Sequence, residues 1–158
     1  MSAFCFSPLA PCGGAKGVNG TAEFEVTGSP AADDLSTIGD ALSAFNVHDV
    51  GPAERQPLAV LIRDTDGNVT GGLSGYTAWG WLFTQLLYIP DKERGKGMAG
   101  KILALAEEEA AARGCHGAWI DTFNPLALRA YQRQGYEIFG ELPEFPKGRT
   151  RTFLRKML

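Results

Sequence analysis

A glycine-rich stretch, Arg94 to Lys101, constrains the fold of this 158-residue chain more than any other segment. An apolar run, Trp81 to Pro90, leads into it, a charged turn at 91–94 follows, and a helical pattern continues to Gly114. A helix N-terminus offers unpaired backbone N–H groups and the positive end of the helix dipole, which together bind phosphate well. The sequence therefore predicts a strand–loop–helix unit that holds a phosphate-bearing ligand.

Two common nucleotide motifs match this stretch incompletely. Gly95, Gly97 and Gly100 fit the dinucleotide fingerprint, and Asp121 ends the next strand, where a ribose-binding acid is expected. However, a charged turn separates the strand from the first glycine, and too few residues follow Asp121 for a second nucleotide-binding half. A P-loop also needs Ser or Thr at the position of Ile102 to hold Mg²⁺.

A third pattern, Arg-x-x-Gly-x-Ala over residues 94–99, is followed by a second block that starts at Asn124 and runs through Tyr131 to Gly135 and Tyr136. The two blocks, in this order and one strand apart, resemble the GNAT superfamily of acetyl-CoA-dependent N-acetyltransferases. The resemblance covers roughly residues 56 to 158. It implies transfer of an acetyl group from acetyl-CoA to a primary amine of a small molecule, by direct attack in a ternary complex and without a metal.

The resemblance also implies roles for individual residues. The loop's N–H groups hold the CoA pyrophosphate, the exposed backbone of strand four pairs with the pantetheine arm, and Tyr131 donates a proton or hydrogen bond to the leaving thiolate. The implied cofactor-binding residues are Leu87, Tyr88, Ile89, Arg94, Gly95, Lys96, Gly97, Met98, Ala99, Gly100 and Asn124. Tyr131 could instead only close the helix against the sheet, and Asn124 is also a good N-cap.

The general base and the acceptor stay open at this stage. His48, Asp49, Gln85, Asp121 or ordered water could take the amine proton. Acidic residues around the first helix favour a cationic amine, although a solvated helix face explains them as well. A polyamine, an aminoglycoside-like antibiotic, an amino acid and a peptide N-terminus all fit. Two alternatives to this enzyme are a non-catalytic acyl-CoA-binding regulatory module and, less favoured, a nicotinamide-dependent oxidoreductase.

The order of predicted elements, β-α-β-β-β-α-β-α-β-β, indicates an α+β fold. The resemblance implies a mixed, mostly antiparallel twisted sheet of about six or seven strands, splayed between strands 4 and 5 and flanked by three to four helices. We expect residues 1–20 to form a flexible tail and residues 21–158 a single domain.

Local residue patterns predict the bounds and burial of single elements. Ala22–Val26 alternates like a half-buried strand, and Ser29 before Pro30 suggests the cap of a helix that ends near Asn46. The run 58–62 reads as a strand buried on both faces. In the helix after the glycine loop, Glu107 is expected to point into solvent.

The composition limits the classes of partner that can be expected for this chain. A net charge of −3 gives no case for nucleic-acid binding, and no apolar run is long enough for a bilayer. The absence of a basic residue before Lys16 and only three cysteines suggest a cytoplasmic protein. The charges of the last strand, 151–158, either protect a sheet edge or accompany pairing with a second subunit, and the resemblance favours a homodimer.

Overall fold

The computed structural model describes residues 22–158, which form three α-helices and six β-strands. A short 3₁₀ turn at Asp91–Glu93 precedes the second helix. By their internal contacts the residues divide into two compact units, with the boundary after Ala41. The elements are α1 (Ala32–Val50), β1 (Gln56–Arg63), β2 (Val69–Ala78), β3 (Trp81–Tyr88), α2 (Met98–Ala112), β4 (Gly117–Thr122), α3 (Pro125–Arg133), β5 (Glu137–Pro143) and β6 (Thr150–Met157).

All six strands belong to one sheet in the order β1-β2-β3-β4-β6-β5. Every neighbouring pair is antiparallel except β3 and β4, which are parallel and are connected through α2. A parallel pair needs such a crossover because its strands run in the same direction. The predicted α+β fold with a mixed, mostly antiparallel sheet is therefore confirmed.

The core lies on the sheet face that carries α2 and α3. Leu82 and Leu154 from the sheet and Leu103 from α2 are completely inaccessible to solvent, and Tyr131 of α3 belongs to the same cluster. Apolar side chains of α2 recur at the spacing of one helical face and cover the first three strands. This packing holds the N-terminus of α2 and the side of α3 close to β3.

Strands β3 and β4 separate part-way along their length. Trp81–Thr84 pairs with Gly117–Ile120, and beyond this point β3 stays paired only with β2 among the described residues. Gln85 is an extra residue in β3, since Thr84 lies opposite Gly75 while Leu86 lies opposite Ser74. Such a β-bulge bends its strand and raises its twist. The splay expected between strands 4 and 5 is thus present between β3 and β4.

The start of the chain differs from the prediction. Residues 22–31 contain no regular secondary structure, so the strand predicted at Ala22–Val26 is wrong, because alternation alone does not make a strand without a partner to pair with. Helix α1 begins at Ala32, not behind a Ser29 cap, and continues to Val50. Its end falls at Gly51, whose φ of 85° leaves the helical region. The tail predicted for residues 1–20 lies outside the described residues.

The edges of the sheet also correct two expectations. Among the described strands β1 lies at an edge of the sheet. Leu58 of this strand is buried but Leu61 is 49% exposed, so the prediction of burial on both faces is wrong. β6 lies between β4 and β5, and its charges therefore neither protect an edge nor leave it free to pair with a second subunit. Chain order does not reveal that the last strand is inserted inside the sheet.

The position of Glu107 also differs from the prediction. It is buried against β6, and its carboxylate accepts a hydrogen bond from Lys156 Nζ at 2.5 Å. The prediction that Glu107 points into solvent is wrong, because the lysine that pairs with it is supplied by a strand 49 residues further along the chain.

Candidate active site

A cleft of about 660 Å³ opens where β3 leaves β4, bounded by the end of β3, the glycine loop and α3. It brings together eleven of the twelve residues predicted for the site: Leu87, Tyr88, Ile89, Arg94, Gly95, Gly97, Met98, Ala99, Gly100, Asn124 and Tyr131. The exception, Lys96, does not line the cleft, and its ammonium group lies 3.3 Å from a carboxylate oxygen of Glu93.

The sequence prediction missed part of the α3 wall. Ala127, Ala130 and Gln134 line the cleft together with Tyr131. Their spacing of three and four residues places them on one face of a helix. Extending the helical period outward from Tyr131 finds this wall from the sequence alone.

The glycine loop leaves its backbone accessible at the start of α2. Gly95 and Gly97 have φ angles of 76° and 75°. At either position, apart from the adjacent residues, no atom of the part of the chain that the structure describes lies within 4 Å of where a Cβ would be. Gly97 is the N-cap of α2, and no side chain from residues 22–158 caps the helix. The first backbone N–H groups of α2 therefore face an open space near the positive end of the helix dipole, as an anion site requires.

Arg94 ties this loop to the end of β3. Its Nε donates a hydrogen bond to the carbonyl oxygen of Ile89 at 3.0 Å, and one terminal nitrogen lies 2.7 Å from Asp91 Oδ1. The guanidinium group therefore already has an anionic partner, which is largely exposed. Arg94 acts here chiefly by fixing the geometry of the turn that leads into the glycine loop.

Asn124 caps α3 and lines the cleft at the same time. Its Oδ1 accepts a hydrogen bond from the Leu126 N–H at 2.9 Å, and Pro125 occupies the first helical position. Both features confirm the capping role predicted from the sequence. The cap fixes where α3 begins and therefore where Tyr131, two turns later, enters the cleft.

Tyr131 is only 5% exposed, and it lines the cleft. Burial, with a smaller contribution from the negative charge of Asp121, raises the pKa of Tyr131 to about 12. Both effects penalise the phenolate. The phenol therefore keeps its proton across the physiological range and can donate a hydrogen bond into the cleft.

The four residues considered as the general base lie in different parts of the structure. His48 and Asp49 are exposed near the end of α1 and do not line the cleft. Gln85 is exposed at the bulge where the splay begins. Asp121 lies at the same point on β4, with Oδ2 held 2.6 Å from Arg151 Nε.

Residues 22–158 contain neither a cluster of metal ligands nor a membrane-spanning helix. No group of three or more His, Cys, Asp or Glu side chains in this part of the chain is arranged to hold a metal ion. None of the helices in these residues combines the length and apolar character needed to cross a bilayer. Cys115, the one cysteine described, is buried, and burial raises the pKa of its thiol.

Comparison with known proteins gives consistent matches. A model of the acetyltransferase (GNAT) family matches residues 32–136. Acetyltransferase Atu2258 of Agrobacterium fabrum is 48% identical over 125 residues, which cover 79% of this chain and 91% of that protein. The blasticidin-S acetyltransferase of Streptomyces morookaense is 37% identical over 93 residues, 58% of this chain and 68% of that protein. A crystal structure from Agrobacterium tumefaciens, described as an acetyltransferase, has a TM-score of 0.82 and 45% identity, covering 86% of this chain and 99% of that one.

Proposed function

Because this chain belongs to the GNAT family of acetyltransferases, we propose that it acetylates the primary amine of a small molecule, with acetyl-CoA as the donor. The observation that carries the proposal is the single cleft that joins an unpaired strand edge, an uncapped helix N-terminus and a buried tyrosine. Relatives that act on a small molecule, such as the blasticidin-S acetyltransferase, support this class of acceptor.

The cleft suits the CoA part of the donor. The backbone N–H groups of Gly97, Met98 and Ala99 would hold the pyrophosphate, since glycine at 95 and 97 leaves them uncovered. Among residues 22–158, the backbone of β3 at Leu87 and Tyr88 has no partner on the β4 side, so its polar groups there are available to an extended ligand. Ile89 follows directly, and its carbonyl oxygen is held by Arg94. Acetyl-CoA supplies the activated acetyl thioester.

Groups of this chain then position the reactants and stabilise the negative charge that develops on the leaving sulfur. The amine nitrogen forms the new C–N bond as the C–S bond breaks, one amine proton leaves to water or a base, and the departing sulfur gains one proton. With its pKa raised to about 12, Tyr131 is a weaker acid than a thiol, whose pKa is about 8.5. It therefore stabilises the sulfur mainly as a hydrogen-bond donor, and solvent completes the proton transfer.

The test compares Tyr131→Phe with the wild-type protein in CoA binding and in acetylation of an amine panel. Phe keeps the ring and removes only the hydroxyl, so we expect kcat to fall about 100-fold while the Kd of CoA stays unchanged. Tyr76→Phe is the matched control, because Tyr76 does not line the cleft.

Two results would contradict the proposal. Failure of the wild-type protein to bind CoA at about 1 mM would reject the acetyl-CoA site as a whole. An unchanged kcat in Tyr131→Phe would reject the role of the hydroxyl. Binding of CoA without acetylation of any amine would instead support a non-catalytic acyl-CoA-binding module.

A further inference from the structure

An ion pair lies at the point where β3 and β4 begin to separate, which we call the vertex of the splay. It is on the sheet face opposite α2 and α3. Ile120 is the last residue of β4 that pairs with β3, and its side chain is buried on the helix-covered face. Asp121 follows it directly, so its side chain points to the other face. Arg151 of β6 reaches this carboxylate diagonally across the two strands.

Arg151 is held so that much of its guanidinium group stays free. Its Nε donates to Asp121 Oδ2 at 2.6 Å, and the group lies over the rings of Phe145 and Phe153, at 5.2 and 5.6 Å from their centroids. Its terminal nitrogens make no hydrogen bond to any other residue from 22 to 158, and the side chain is 34% exposed. One edge of the guanidinium is thus oriented by the protein while the other is available.

The surrounding charges favour an anionic ligand. Arg55 stacks on the ring of Tyr76, and Arg155 lies opposite Trp119 on β4. Together with Arg151 they place three guanidinium groups on this face, against two carboxylates, Asp121 at the vertex and Glu137 opposite Arg155 on β5. A guanidinium fork binds a carboxylate through two parallel hydrogen bonds, which also fixes its orientation.

We propose that Arg151 binds a carboxylate of the acceptor, and hence that the acceptor is an α-amino acid or another amine with a carboxylate close to its nitrogen. This inference rests on the proposed N-acetyltransferase function. Asp121 acts as a positioning residue that holds Nε and turns the remaining N–H groups toward the acceptor. The charge of Asp121 contributes to the raised pKa of Tyr131, which is consistent with an acceptor bound here lying near the thioester end of the cleft.

The test uses pairs of acceptors that differ only in the carboxylate. L-phenylalanine is compared with phenethylamine, and L-methionine with 3-(methylthio)propylamine, by the ratio of kcat/KM for the acid to that for the amine. The two members of a pair differ in amine pKa, so the readout is the change of this ratio between variant and wild type. Arg151→Met should lower the ratio about 10- to 100-fold, as expected for a lost charge-assisted hydrogen-bond pair.

Three further variants make the result specific. Arg151→Lys keeps the charge but loses the fork and should lower the ratio by less than Arg151→Met. Asp121→Asn should lower the ratio through a higher KM for the amino acid. The matched control is Arg63→Met, an exposed arginine at the end of β1 that donates to the carbonyl oxygen of Gly67, which should leave the ratio unchanged. Circular dichroism confirms that each variant is folded.

The outcomes separate this inference from the proposed function. An unchanged ratio in both Arg151 variants overturns the inference. Acetylation of phenethylamine or a polyamine by the wild-type protein without acetylation of either amino acid also overturns it, and leaves the proposed function standing. Absence of CoA binding overturns both.

Discussion

The hydroxyl of Tyr131 differs from that of an ordinary tyrosine because ionisation is costly where it lies. Burial is the larger cause, and the Asp121 carboxylate adds to it. The Tyr136 phenol below it is buried too, and burial followed by the charge of Glu107 raises the pKa of Tyr136. Both phenols therefore act as neutral groups, and only Tyr131 opens into the cleft.

This environment predicts the alkaline side of the pH profile. A raised pKa means that the phenol keeps its proton until the pH approaches about 12. We expect kcat to rise as the bound amine loses its proton and not to fall between about pH 9 and pH 10.5, where an ordinary tyrosine with a pKa of about 10 would ionise. A decline of kcat with an apparent pKa near 10 in steady-state assays would contradict a buried, neutral Tyr131.

The pair of Glu107 and Lys156 predicts an effect on stability alone. Lys156→Met leaves the buried Glu107 carboxylate without its partner, so we expect a loss of about 2 kcal/mol in the free energy of unfolding. This is below the roughly 3 to 5 kcal/mol of a fully buried pair, because Lys156 is partly exposed. Lys96→Met removes an exposed partner of Glu93 and should cost about 0.5 kcal/mol or less. Equal losses for the two variants in urea titrations would mean that burial of Glu107 carries no extra energy.

At the scale of elements, a helix end could be predicted from the sequence where a single glycine or capping residue determines it. Gly114 and Gly135 adopt the positive φ that ends a helix, and Asn124 caps α3 as its position before Pro125 indicates. The strand expected at Ala22–Val26 failed because alternation describes one side of a pairing and says nothing about a partner. The bulge at Gln85 was likewise hidden, since it depends on the register between β2 and β3.

The N-cap of α2 gives a prediction at this scale. Gly97 has a φ of 75°, which an alanine reaches only with strain, although nothing would contact its Cβ. Gly97→Ala should therefore lower the free energy of unfolding by about 1 kcal/mol, and Gly97→Asn by less, because asparagine adopts this conformation more readily. Urea denaturation checks the order, and equal losses would show that backbone strain is not the cause.

The order of the strands in the whole sheet is the feature that local sequence patterns predict least well. The resemblance to a known family indicated the mixed sheet and its splay, but only the three-dimensional structure shows β6 between β4 and β5. That insertion buries Glu107 beside Lys156 and brings Arg151 to Asp121. Residues that act through distant partners were therefore missed by sequence patterns, whereas the glycine loop and Tyr131 were found and the α3 wall was found only in part.

Ligand binding should also register in the stability of the folded chain. Acetyl-CoA bound only by the native state, at about 100 times its Kd, adds about 2.7 kcal/mol. For a protein of this length we expect the midpoint of thermal unfolding to rise by about 5 to 10 °C, with no rise from NAD or NADP at the same concentration. A rise with the dinucleotides alone would favour the oxidoreductase alternative.

The extra residue at Gln85 separates the ability to fold from the ability to bind. Side chains on either side of it keep their faces, since Leu87 still lies opposite Leu73 and Thr84 opposite Gly75. Deletion of Gln85 should therefore preserve the core and the cooperative unfolding transition, while β3 straightens and continues alongside β4. We expect such a shortened protein to be folded but unable to bind CoA, so that the length of this strand matters for binding and not for folding.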